Sequence, residues 1–130
     1  MPLYVADTHA LLWYLGGSSL LGAAAHTAFD EITLGSSEVI VPAITIAELI
    51  RLVEKGRSSV DAARIVAALR AKPGFRVTSL TPEIVIGIQP LTALPDLHDR
   101  LIVAEALQAS ATLITRDRTI TASGLVPVVW

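Results

Sequence analysis

Leu3-Tyr4-Val5-Ala6-Asp7-Thr8-His9-Ala10-Leu11-Leu12 carries one apolar run into an acid and straight on into a second apolar run of different period. Leu3 to Ala6 reads as a short buried strand, because its apolar character is continuous rather than alternating. Thr8 to Leu15 reads as a helix, with Leu11, Leu12 and Leu15 on one side and Gly16-Gly17 as its stop. A strand buried on both faces and followed at once by a helix is the repeating unit of parallel sheets.

The rest of the chain repeats that alternation. A helix is expected over Ala23–Leu34, a strand over Val39–Val41 closed by Pro42, and a helix over Ala43–Lys55 stopped by Gly56. Val60–Lys72 follows as a helix, ended by Pro73-Gly74. Arg76–Thr78 is a strand candidate, and Pro82 opens a helix through Ile88. Leu97–Ala109 is strongly helical. Thr112–Thr115 is a strand, Arg118–Ala122 a turn or short helix, and Val126–Val129 a last strand. Residues 1–130 therefore read as a single α/β domain, with a mostly parallel central sheet of four to five strands covered by helices on both faces.

Composition narrows the class. Hydrophobic residues make up 52% and charged residues 17%, with a net charge of −2. Globular domains average about 25% charged residues, so apolar surface is left to hide and a homodimer or a bound partner is expected. Cysteine is absent, which removes disulfides and thiolate metal sites and suits a cytoplasmic location. The nearly uncharged stretch from Thr8 to Phe29 is broken by Gly16-Gly17-Ser18-Ser19, short of the ~20 apolar residues a span needs. Met1 to Asp7 has no positive start for a secretory signal.

Four acids then stand out: Asp7, Glu48, Asp99 and Asp117. Ligands of open α/β sheets bind at the carboxyl ends of the strands. Asp7 and Asp117 each follow a strand there, although each is equally readable as a helix N-cap stabilising by about 1 kcal/mol. Asp99 shares the inward helix face of Ile102, Val103 and Ala106, and Asp96 before it reads as the N-cap, with metal ligation as its lesser alternative. Glu48 lies on an apolar helix, open to either a site or a surface pair with Arg51. Two carboxylates ~5 Å apart repel by about 3 kcal/mol at an effective dielectric of ~20, so a convergent group needs cations or raised pKa values. Oxygen-only donors favour Mg²⁺ or Mn²⁺ over zinc. His9, His26 and His98 show no metal-ligand spacing; His98 stands next to Asp99. No phosphate-binding glycine loop, nucleophile elbow or H-E-x-x-H motif occurs.

At these residues the chain resembles a known family. Tyr4-Val5-Ala6-Asp7-Thr8-His9-Ala10-Leu11-Leu12-Trp13, Ile44-Thr45-Ile46-Ala47-Glu48-Leu49, Asp96-Leu97-His98-Asp99-Arg100-Leu101-Ile102-Val103-Ala104 and Leu113-Ile114-Thr115-Arg116-Asp117 resemble, in that order, a PIN-domain ribonuclease of the VapC toxin type. The resemblance implies a three-layer α/β/α fold and metal-binding, catalytic roles for Asp7, Glu48, Asp99 and Asp117. It implies accessory roles for Thr115, two positions before the last acid, and for Arg100, Thr8 and Asp96. Relatives often read H-x-D-P-x-D-R where this chain has Leu94-Pro95-Asp96-Leu97-His98-Asp99-Arg100, and an aromatic often stands at the place of Ala47.

The activity implied is Mg²⁺- or Mn²⁺-dependent endonucleolytic cleavage of RNA, with tRNA or rRNA as target, a small antitoxin protein as partner and a homodimer as assembly. Two other readings stay open: a PIN-like module that binds RNA or protein without cutting, and a phosphatase-like hydrolase using Asp7, whose usual partner aspartate is His9 here. An acidic total means that RNA must be held locally. Arg51, Lys55 and Arg57 are the expected patch, with Arg64, Arg70 and Lys72 on the next helix. Apart from Trp13, aromatics for base stacking are few, so folded RNA shape is expected to matter more than single-stranded sequence.

Overall fold

A computed structural model describes residues 1–130. The strands are β1 (Leu3–Ala6), β2 (Glu38–Pro42), β3 (Phe75–Thr78), β4 (Thr112–Ile114) and β5 (Val128–Val129). The helices are α1 (Thr8–Leu15), α2 (Ala23–Thr33), α3 (Ala43–Lys55), α4 (Ala62–Ala71), α5 (Pro82–Gly87), α6 (Leu97–Ala109) and α7 (Arg118–Ser123). The strands form one sheet in the order β3-β2-β1-β4-β5, and every pairing is parallel.

Side-chain alternation along the strands divides the interior into two cores. Val5, Ile40 and Leu113 point to the layer of α5, α6 and α7, where they meet Ile84, Ile102, Val103 and Ile120. Their neighbours Ala6, Val39, Val41 and Ile114 point the other way, to Leu11, Phe29, Ile32, Leu49 and Leu69 of α1 to α4. A strand that feeds both cores has no solvent face, which is why these runs are apolar throughout. The fold is a three-layer α/β/α sandwich.

Most elements agree with the sequence reading to within a residue at each end; three of the differences bear on the fold. The fourth helix starts at Ala62 rather than Val60, because Asp61 stands outside it and its carboxylate caps the N–H of Arg64. The strand at Thr112 ends at Ile114, since Thr115 turns its hydroxyl to the acids at the sheet edge. The last strand is only Val128–Val129. No helix is long and apolar enough to cross a membrane.

Candidate active site

All strands run the same way, so their carboxyl ends share one edge. The register sets Ala6 opposite Ile114, which makes Asp7 and Thr115 the next pair across. The Asp7 N–H donates to the Ile114 carbonyl at 3.0 Å. The Thr115 hydroxyl donates to Asp7 Oδ2 at 2.5 Å and accepts the Asp117 N–H at 3.1 Å. The other oxygen of Asp7 accepts the Thr8 N–H at 2.7 Å. One threonine thereby ties the acid after β1 to the acid after β4.

Glu48 arrives from a third element. The buried Thr45 hydroxyl donates to the Ala6 carbonyl at 3.2 Å, pinning the first turn of α3 to the end of β1. Glu48 lies one turn further, 3.7 Å from His98 on α6 rather than against Arg51. Asp96 is the N-cap of α6 and accepts the Asp99 N–H at 3.0 Å. Ile102, Val103 and Ala106 are buried, so the face that carries Asp99 does look inward. Arg100 donates to the Leu94 carbonyl and braces the loop before α6.

The electrostatics show how near these groups lie to one another. Burial pushes the Asp99 carboxyl up to about 7, with Asp117, Asp96, Asp7 and Glu48 adding to the rise in that order. Burial likewise raises Asp7, against the pull of the Thr115 hydroxyl and the Thr8 N–H. Glu48 is raised by burial, while His98 favours its charged form. Glu48 Oε1 and the Thr8 hydroxyl are both buried without a hydrogen-bond partner. They are close enough for the hydroxyl to favour the glutamate anion, without forming a hydrogen bond.

These donors fit a hard divalent cation in kind: carboxylates and hydroxyls, no thiolate, and two buried oxygens with nothing to bind. As they stand, no three His, Asp or Glu side chains are close enough together to hold an ion. The structure thus gathers the acids within electrostatic reach at one sheet edge, not in a closed cage of ligands.

A cleft of about 620 Å³ opens at this edge, lined by Asp7, His9, Ala10, Arg116, Asp117, Arg118 and Trp130. Its cations and aromatics were not among the residues singled out from the sequence, although Arg116-Asp117-Arg118 carries the signal: two guanidinium groups bracketing an acid. The expected RNA patch of Arg51, Lys55 and Arg57 is exposed and borders none of the principal clefts. In the neighbouring patch, Arg64 faces Asp61 and Lys72 lies 5.5 Å from the ring centres of Tyr14 and Phe75, against the core.

The PIN domain family model matches residues 4–122. The chain belongs to the PIN domain family. Among solved structures it resembles VapBC2 from Rickettsia felis bound to a promoter DNA fragment, with a TM-score of 0.72 at 13% identity over 98% of this chain and 97% of that one. A toxin–antitoxin complex from Klebsiella pneumoniae matches with a TM-score of 0.68 at 22% identity, over 100% and 97%. Mycobacterium tuberculosis VapC20, a sarcin–ricin loop cleaving toxin, matches with a TM-score of 0.69 at 17% identity, over 95% and 96%. No curated protein matches the sequence.

Proposed function

We propose that this chain is a Mg²⁺- or Mn²⁺-dependent endoribonuclease acting as the toxin of a toxin–antitoxin pair. The observation that carries the reading is the Thr115 hydroxyl, which bonds both the Asp7 carboxylate and the Asp117 N–H and so sets the two acids together in one cleft, beside an Asp99 carboxyl pushed up to about 7 by burial and the surrounding acids. Such a concentration of negative charge is costly without a cation. Asp7, Glu48, Asp99 and Asp117 would hold the metal, with Thr8 beside Glu48 as an accessory oxygen. A bound divalent ion supplies a hydroxide-like water at neutral pH and offsets charge on the phosphoryl oxygens.

The protein's own residues do the rest. Thr115 holds Asp7 in one rotamer and fixes the backbone of Asp117. Asp96 and Arg100 set the start of α6, and with it the position of Asp99. Arg116 and Arg118 oppose the acids from the rim of the cleft and favour the phosphate chain there.

The toxin reading draws on the fold shared with toxin–antitoxin complexes. It draws also on exposed apolar side chains: Leu34 at 82%, Ile86 at 70% and Leu20 at 59%, surface that a small antitoxin and a second copy of the chain would cover. A reducing cytoplasm suits a cysteine-free chain of this kind, and rRNA or tRNA is the target class proposed.

Purified protein should cut RNA only with Mg²⁺ or Mn²⁺, lose that activity to EDTA, and lose it in Asp7→Asn. Full cleavage by Asp7→Asn would end the assignment. A second reading, a PIN fold that binds without cutting, is favoured by the open spacing of the carboxylates. It predicts RNA retention with no cleavage under any divalent ion.

A further inference from the structure

We propose that Arg116, which lies over Trp13 and is flanked by Trp130 and Arg118, is a nucleotide-gripping subsite that admits single-stranded RNA and excludes duplex. The inference rests on the nuclease reading and names what that site would hold. The Arg116 guanidinium lies 4.3 Å from the centre of the Trp13 ring. Trp130 meets Trp13 edge-on at 5.7 Å, and the His9 ring is tilted against Trp13 at 5.3 Å. Arg116 and Arg118 are exposed, and neither forms an ion pair. Two unpaired cations beside several carboxylates leave a place for phosphate that the acids alone would repel.

Shape supports a chain rather than a mononucleotide. Arg116, Arg118 and Trp130 border the cleft that holds Asp7 and Asp117. The same three residues border a second cleft of about 480 Å³ that continues along Thr121 and Val128. They form a ridge between the two. A strand crossing it would place one phosphate by the acids and its neighbouring nucleotide beyond the ridge. Arginine planes and indole rings are surfaces on which unstacked bases rest. Bases inside a duplex do not present their faces, so the ridge selects unpaired nucleotides. Trp13 acts as a positioning residue: it holds the guanidinium plane that a base would stack upon. Such a ridge departs from the expectation, drawn from the small number of aromatics, that folded shape matters more than single-stranded sequence.

The chain has two tryptophans; Trp130 stands on the ridge and Trp13 packs against it and against Arg116, so the intrinsic fluorescence reports there. Asp99→Asn protein in EDTA, which removes cleavage from the assay, is titrated with an unstructured RNA of about ten nucleotides and with a blunt duplex of the same composition. The single strand should quench emission and bind at least about tenfold tighter than the duplex. Arg116→Lys should weaken it by about 5- to 100-fold, the range for one lost stack, while keeping the salt dependence, because charge remains and the plane is gone. Arg116→Gln should also lower the salt slope by about one. Both substitutions are at an exposed position, so folding is preserved.

Equal affinity for strand and duplex, unchanged binding by both Arg116 variants, or quenching by a basic peptide and not by RNA would each overturn the subsite. Wild-type cleavage that persists in those cases leaves the nuclease reading standing. Ridge-dependent RNA binding by a wild-type protein that never cuts would sink the nuclease reading and keep the subsite.

Discussion

Thr115 donates its hydroxyl to Asp7 across 108 residues of sequence, and the same oxygen accepts the backbone N–H of Asp117. One side chain therefore sets the relation between the ends of two neighbouring strands. Thr115→Val keeps the shape, removes the donor from Asp7 and leaves the Asp117 N–H unpaired. Under the proposed nuclease reading, cleavage rates should fall about 10- to 100-fold, the usual cost of losing an outer partner of a metal ligand. Thr115→Ser should restore most of the rate. Single-turnover cleavage of one RNA checks both.

Asp117 caps a helix, and in the proposed reading it also holds metal; two substitutions separate these roles. Its carboxylate caps α7 by accepting the Ile120 N–H at 2.8 Å. Asn keeps an acceptor there, so Asp117→Asn should melt within about 1 °C of wild type while losing metal-dependent activity. Asp117→Ala should lose the activity and also about 1 kcal/mol of stability, near 4 °C in Tm. Equal melting of the two variants would show the cap to be idle.

The Asp99 carboxyl ties stability to pH. Unfolded, it titrates near about 4; folded, it is pushed up to about 7. Between those values the native chain binds more protons than the unfolded one, so the unfolding free energy falls as pH rises. The raised carboxyls of Asp7, Glu48 and Glu105 act in the same direction. Metal-free protein should thus melt progressively lower from pH 4 towards about pH 7. Asp99→Asn should flatten that decline in thermal scans; a rising trend over the same interval would contradict the burial of these groups.

Divalent ions should reverse the loss. At neutral pH, Mn²⁺ at ~100 times its dissociation constant stabilises the native state by about 2.7 kcal/mol if it binds only the folded chain. Glu48→Gln should melt at or above wild type without metal, because one like charge is gone, and should gain little on adding Mn²⁺. Ca²⁺ included as a non-catalytic comparator separates binding from cleavage. No Mn²⁺ shift in wild type would count against the metal assignment.

Gly22 tests the wall of the cleft. A Cβ there would come within 2.6 Å of the Trp130 backbone and ring, and the Ala24 N–H donates to the Trp130 carbonyl at 3.2 Å. Gly22→Ala should displace Trp130 and destabilise by about 1–3 kcal/mol, read as lower Tm and a red-shifted emission.

Much of this arrangement was legible in the residues. Continuous apolar runs at Leu3–Ala6 and Val39–Val41 announce strands without a solvent face, and the helix over Leu97–Ala109 begins and ends where its pattern does. Asp7, Asp99 and Asp117 stood out because acids punctuate apolar segments. What stayed hidden depends on contacts between distant segments. Thr45 looks like any helical threonine until Ala6 is beside it. Trp130 is a lone aromatic until α1 brings Trp13 against it. Glu105 sits among buried neighbours with one oxygen unpartnered, which neither its period nor its charge discloses.

Strand β1 is flanked on one side by residues 38–40 and on the other by residues 112–114. During synthesis the first flank is filled early, while the second stays vacant until residues 112–114 have left the ribosome. Asp99, Thr115, Asp117 and Arg116 all come late, so Asp7 and Glu48 have few of their eventual neighbours in any nascent fragment. In the proposed nuclease reading, a nascent fragment that stops short of residue 117 lacks the full acidic set, which spares the transcript and the ribosome that are producing it.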